Sequence, residues 1–240
     1  MKLVFMRTGW LLLAASIGLA QEVIPLYPGA APGSAAGNYP EKQYFSRVWN
    51  TEVVSNVTTP TLTLYRPIAG GNGTAVRFGD RKGFDEYISK TQPLSIADGI
   101  AAVAYVRKHA YDWGVLADRV GIVGFSAGGT VTAGAGLRYT PESRPAFVAP
   151  IYAALSLLKD DPVPVDAPPM FLAAATDDRL GLAPDSIILY NKWTAAHKPA
   201  ELHMYAIGGH GFGMKKQGYP SDEWIERFAD WLRQNGWMKR

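Results

Sequence analysis

The sequence predicts an α/β fold, a mostly parallel sheet with helices on both faces. Three observations predict it. Short apolar runs too brief for helices recur after residue 118, and they read as fully buried strands. Runs with helical periodicity alternate with them, and strand–helix alternation is the pattern of parallel sheets. One junction, Arg119-Val-Gly-Ile-Val-Gly-Phe-Ser126-Ala-Gly-Gly-Thr130, has a β-branched run, a tight glycine-flanked turn and a small-residue helix in direct succession.

The elements follow in order. Residues 1–20 resemble an export signal, with a retained N-terminal anchor as the alternative: Lys2 and Arg7 precede the apolar run Trp10 to Ala20, and Gly18-Leu-Ala20 offers small residues for cleavage before Gln21. Residues 21–45 are expected to be an extended lead-in, because Glu22 to Asn38 is rich in Pro, Gly and Ala. A single domain over 46–240 is expected to follow, with no second domain or repeat. Ser46–Val54 and Pro60–Arg66 read as strands, the second from the alternation of Leu62 and Leu64 with threonines. Thr74 to Phe78 reads as a short strand, and Gly79 to Thr91 has no clear period. Ser95 to His109 is expected as a helix, with Ser95 and Asp98 resembling a capping box and Ile96, Ile100, Val103 and Ala104 as its buried stripe. Strands are expected at Arg119–Val123, Ala146–Leu155, Ala167–Ala175 and Leu202–Ile207. Helices are expected at Thr130–Leu137, Pro184–Ala196 and Asp222–Asn235, the last with the stripe Trp224, Phe228, Trp231 and Leu232.

Composition narrows the chemistry. At 240 residues with 48% apolar content, one α/β domain with a sizeable core is possible. The net charge of +3 is small and the cations are scattered, which argues against nucleic acid as a partner. The absence of cysteine excludes disulfides, thiol catalysis and cysteine-ligated zinc. Four histidines without H-x-x-x-H or H-x-H spacing point away from a metal, and no cofactor is expected.

Gly124-Phe-Ser126-Ala-Gly128 fits G-x-S-x-G in its strand–turn–helix context. A sharp turn pushes the Ser126 hydroxyl into a cleft, and the Ala127 N–H, at a helix N-terminus, is placed to donate to an oxyanion. A serine nucleophile needs a base. Of the four histidines His210, in Gly208-Gly-His-Gly-Phe-Gly213, sits just after an expected strand, where sites form in parallel sheets. The imidazole needs a carboxylate, and Asp177 or Asp178, just past the strand ending at Ala175, fits, with the other expected to cap or bind the backbone. Phe125 and Phe212 adjoin these residues and are the candidates to line a substrate pocket. Tyr139, Tyr152 and Trp193 could also line an aromatic pocket, with core packing as their ordinary use.

These pieces resemble the α/β-hydrolase fold, near bacterial esterases related to acetyl-xylan esterases and BD-FAE-type feruloyl esterases. Pro93-Leu-Ser-Ile-Ala-Asp98-Gly, the Ser126 turn, Ala175-Thr-Asp-Asp178 and Gly208 to Gly213 carry the likeness across roughly residues 93 to 237, and Ile24 to Gly29 and Tyr65-Arg-Pro67 resemble the family's N-terminal part. The resemblance implies Asp178 as the partner of His210, in the chain order Ser126, Asp178, His210. It implies hydrolysis of acyl esters, often on plant polysaccharides, without a cofactor. The expected partner is a small-molecule or polysaccharide-linked ester, with no membrane association after signal removal and a secreted or periplasmic location.

One departure stands out. The family carries a His-Gly-Gly-Gly or Pro-Gly-Gly-Gly loop that gives a second oxyanion donor, followed by a helix and a strand. Ile68 to Gln92 is too short for all of these and contains no His-Gly-Gly. Thr74 to Val76 looks like the stub of that third strand, joined to a distant point near Arg77 to Phe84. Three outcomes stay open: Gly70 to Gly73, with Gly71 as donor, replaces the loop; a second subunit completes the sheet through an exposed edge; or the chain is a weakly active or noncatalytic relative. A serine exopeptidase is the rival within the same fold.

Overall fold

A computed structural model describes residues 22–30, 32, 42–46, 51–55, 61–64, 75–79 and 88–238. Its centre is a five-stranded parallel sheet in the order β5 (Ala75–Gly79), β6 (Val120–Phe125), β7 (Val148–Ile151), β8 (Met170–Ala175) and β9 (Ala200–Tyr205). The helices are α1 (Ile88–Lys108), α2 (Ala127–Leu137), α3 (Ala183–Ala195) and α4 (Trp224–Gln234). Two antiparallel pairs stand apart from the main sheet: β1 (Glu22–Pro25) with β4 (Thr61–Leu64), and β2 (Lys42–Ser46) with β3 (Thr51–Ser55).

The alternation along each central strand explains why helices lie on both faces. Ile122, Val148, Met170 and Leu172 join one core cluster with Val103 of α1, Ala133 of α2 and Leu189 and Trp193 of α3. Val123, Ala149, Phe171 and Ala173 join the other, with Trp224, Phe228, Trp231 and Leu232 of α4. Strands covered on both sides are continuously apolar, because neither set of alternate residues faces water. The small residues of α2 let it sit deep in the first layer. A Cβ on Gly134 would lie 2.7 Å from Ile96 of α1.

Most expected elements are present with shifted ends, and four differ. The expected single strand Ser46–Val54 is instead two paired strands, Lys42–Ser46 and Thr51–Ser55. The lead-in is not merely extended: β1 pairs with β4, Leu26 is buried in the core, and the Tyr27 hydroxyl donates to Asp98 Oδ1 at 3.0 Å. Helix α1 begins at Ile88, so Ser95 and Asp98 lie inside it and cap nothing. Pro93, which lacks an N–H for the carbonyl four residues back, marks no helix start here. The Asp222 segment opens as a 3₁₀ turn, Pro220–Glu223, and the Asp222 carboxylate accepts from the Gln217 and Gly218 N–H groups, both at 2.7 Å, ahead of α4.

Strand β5 runs without a break through Arg77 to Gly79, where the sequence reading put a junction. It pairs in register from Ala75 opposite Val120 to Gly79 opposite Gly124. Of Ile68 to Gln92, the described residues are β5 and the start of α1, and 80–87 lie outside the described residues. Residues 1–21, with the expected signal, and 65–74, with Gly71, lie outside the described residues. Among the described residues β5 pairs with β6 alone, and no helix is long and apolar enough to cross a membrane.

Candidate active site

Three loops at the carboxyl edge of the sheet converge. Ser126 follows β6, Asp178 follows β8 by three residues, and His210 follows β9 by five. Parallel strands direct all their carboxyl ends to one side, which is why residues 84 positions apart in sequence meet.

Ser126 takes φ 54° and ψ −118°, a conformation that L-residues rarely adopt. The turn is held by local hydrogen bonds. The Ser126 N–H donates to the Ile151 carbonyl at 3.0 Å, and its own carbonyl accepts from the Thr130 N–H at 3.1 Å, opening α2. The turn is also too tight for a side chain at Gly124, where a Cβ would lie 2.1 Å from the Gly128 carbonyl oxygen. Ala127 is the first residue of α2, so its N–H is among those a helix leaves without an internal partner.

Ser126 Oγ lies 2.8 Å from His210 Nε2, and His210 Nδ1 lies 2.8 Å from Asp178 Oδ2. The Asp178 side chain is fully buried, and its other oxygen accepts from the Leu180 N–H at 2.8 Å. Both carboxylate oxygens are therefore engaged. With Nδ1–H donating to Asp178, the lone pair of Nε2 faces the serine hydroxyl.

Asp177, the alternative from sequence, faces elsewhere. Its Oδ1 accepts from the N–H groups of Gly208 and Gly209. The other histidines have local roles. His109 stacks between Tyr105 and Trp113 near the end of α1, His197 takes the left-handed conformation after α3, and His203 pairs with Glu201 at 2.7 Å.

Of the pocket candidates, Phe125 is partly exposed, and its ring meets Trp224 edge-on at 5.6 Å. Phe212 does not line an open wall. It is 2% exposed and packs edge-on against Tyr152 at 4.6 Å. A residue between two glycines can turn inward when an apolar recess is beside it, and here the second core layer reaches up to the loop. Trp193 is core, with its indole N–H donating to the Pro168 carbonyl, and the Tyr139 hydroxyl donates to Asp166. Burial and that bond push the Tyr139 phenol up to about 12. Burial also raises Tyr205, at the end of β9.

Tyr152, which the sequence offered for an aromatic pocket or for core packing, stands beside the catalytic candidates. It follows β7 at φ 39°, is fully buried, and meets the His210 ring edge-on at 5.2 Å. A positive φ on a bulky residue has no sequence signature, although a tyrosine at the carboxyl end of a central strand is a position to examine.

Residues 72–240 match the dienelactone hydrolase family. The chain belongs to that family. It is a carboxylic ester hydrolase with the α/β-hydrolase fold, and the family match spans everything from just before β5 through α4. A comparison with curated protein sequences finds no match. Solved structures share the fold at low identity. The acetyl ester-xyloside bifunctional hydrolase of Caldicellulosiruptor lactoaceticus is 18% identical over 90% of this chain and 97% of its own, with a TM-score of 0.67. Thermogutta terrifontis esterase 2, phosphoramylated by tabun, is 17% identical over 89% and 99%, with a TM-score of 0.61. A sugar hydrolase from Lactococcus lactis is 16% identical over 82% and 98%, with a TM-score of 0.60.

Proposed function

We propose that this family member hydrolyses short-chain acyl esters through a Ser126–His210–Asp178 acyl-enzyme mechanism, with acetyl or feruloyl groups on plant polysaccharides as the substrate class. The observation that carries the mechanism is the pair of 2.8 Å contacts, Ser126 Oγ to His210 Nε2 and His210 Nδ1 to Asp178 Oδ2.

In this mechanism His210 Nε2 takes the hydroxyl proton as Ser126 Oγ attacks the ester carbonyl. The carbonyl π electrons move to oxygen, and the Ala127 N–H donates to that oxyanion. The intermediate collapses by breaking the bond to the alcohol, which leaves with the proton from His210. Water then enters, gives a proton to His210 and attacks the acyl-serine. Collapse of the second intermediate releases the acid, and the proton returns to Ser126. Asp178 keeps Nδ1 protonated and stabilises the transient imidazolium, and burial of its side chain strengthens that interaction.

The polysaccharide part of the proposal draws on two supports. One is the resemblance of the motifs to acetyl-xylan and feruloyl esterases. The other is the activity of the Caldicellulosiruptor neighbour, an acetyl ester-xyloside bifunctional hydrolase. Export is part of the same proposal and rests on the composition of residues 1–20. The test is turnover of p-nitrophenyl acetate and acetylated xylan by the wild type and Ser126→Ala. The expected result is turnover by the wild type alone. Equal rates for the two proteins on the nitrophenyl ester would end the serine mechanism, and failure on xylan alone would end only the substrate class.

A further inference from the structure

The imidazole of His210 is borne by a loop with little stiffness of its own. Residues 206–219 form no helix or strand. Gly209 and Gly211, on either side of the histidine, have φ of 68° and 78°. Glycines in the left-handed region leave the backbone permissive, whereas a general base must be held within a fraction of an ångström of its proton. Something outside the loop has to fix it.

The downstream limb is fixed by Trp224, whose indole N–H donates to the Gly213 carbonyl at 2.6 Å. The limb that leads into His210 is fixed by Asp177. Its Oδ1 accepts from the Gly208 N–H at 2.9 Å and the Gly209 N–H at 2.7 Å. Two successive amides converging on one carboxylate oxygen make an anion nest, and each bond is charge-assisted. The Gln217 side chain adds a bond to the Gly208 carbonyl at 3.1 Å.

Asp177 and Asp178 are consecutive on the turn after β8, and that turn is closed by the Asp178 N–H to Ala175 carbonyl bond. One rigid turn thus holds His210 twice, Asp178 at the ring and Asp177 at the backbone just before it. We infer that Asp177 is a positioning residue for His210, setting where the imidazole stands while Asp178 sets how it is oriented. The inference rests on the reading of His210 as the base. Asp177 itself is exposed, and its hydrogen bonds go to the loop backbone.

The test compares Asp177→Ala, Asp177→Asn and the wild type in three measurements: p-nitrophenyl acetate kinetics, thermal melting, and the low-field NMR signal of the His210 Nδ1 proton. Asparagine retains an Oδ1 acceptor for both amides, and alanine does not. The expected result for Asp177→Ala is a fall in kcat of about 10- to 100-fold with KM within about twofold, because misplacement costs reaction geometry rather than binding. Its Nδ1 proton signal should broaden or vanish. Asp177→Asn should recover most of the rate and the signal. If Asp177→Ala does not fold, Asp177→Glu, which displaces the carboxylate by one methylene, replaces it with the same expectation. Wild-type kcat and an unchanged signal in Asp177→Ala or Asp177→Glu would overturn the inference. Equal turnover by wild type and Ser126→Ala would instead remove the esterase reading, and the proton signal would still decide whether Asp177 places the ring.

Discussion

Gly124→Ala tests whether the Ser126 turn is as tight as described. The new Cβ would stand 2.1 Å from the Gly128 carbonyl oxygen, 2.4 Å from its carbon and 2.4 Å from Thr132 Oγ1. Relaxed contacts of this kind need roughly 3.5 Å, so the turn must open by about 1 Å or more. Relief cannot come from a rotamer change. Two of the three atoms are helix backbone, and the Gly128 carbonyl is already tied to Thr132 Oγ1 at 2.9 Å. The first turn of α2 has to move, and Ser126 moves with it. Overpacking costs typically 1–3 kcal/mol, and a backbone clash belongs near the top, about 3 kcal/mol. For a domain of this size that lowers Tm by about 6–12 °C. Displacing the serine by about 1 Å costs a further factor of about 100 in kcat/KM. Circular-dichroism melts and nitrophenyl ester kinetics read both effects. Gly29→Ala is the control, since nothing lies within 4 Å of its Cβ. A Gly124→Ala protein with Tm within about 2 °C of wild type and undiminished activity would refute the description of the turn.

Two further predictions concern Asp178 and Tyr27. Asp178→Asn should fold, because a buried side chain of the same shape remains, yet kcat should fall by about 10⁴, because the amide no longer enforces the Nδ1–H tautomer; kcat near wild type would contradict the pairing at 2.8 Å. The Tyr27 phenol is pushed up to about 12 by burial and then by its bond to Asp98. A folded pKa above the unfolded value of about 10 means that this contribution is complete below pH ~10 and is lost as pH rises through ~12. The stability difference between wild type and Tyr27→Phe should therefore be constant from neutral pH to about pH 10 and shrink above it, as read by alkaline denaturation.

The parts of the molecule that sequence reveals are those set by local periodicity and local chemistry. The stripe Trp224, Phe228, Trp231, Leu232 predicted both α4 and its buried face. The β-branched run before Ser126 predicted β6, and the place of His210 just after an expected strand marked the histidine that reaches Ser126. What escaped depends on contacts distant in the chain. The lead-in looked structureless because the partner of β1, strand β4, begins 36 residues beyond its end, from Pro25 to Thr61. The start of α1 was hidden because Pro93 and a Ser95–Asp98 spacing imitate a helix beginning. On the residues alone Asp177 and Asp178 were equivalent; the resemblance chose Asp178, and in the structure the two point to the backbone and the ring of the same histidine. Phe212 had a sequence position that suggested a pocket and a place in the core that only packing reveals.

The central claim is that Ser126 is an activated nucleophile, and covalent capture tests it most directly. The folded protein is treated with a fluorophosphonate probe and digested, and the adduct is mapped by peptide mass spectrometry. The account predicts one stoichiometric adduct on Ser126, absent from Ser126→Ala and strongly slowed in His210→Ala. A folded wild-type protein that stays unlabelled, or that labels equally fast without His210, would contradict it.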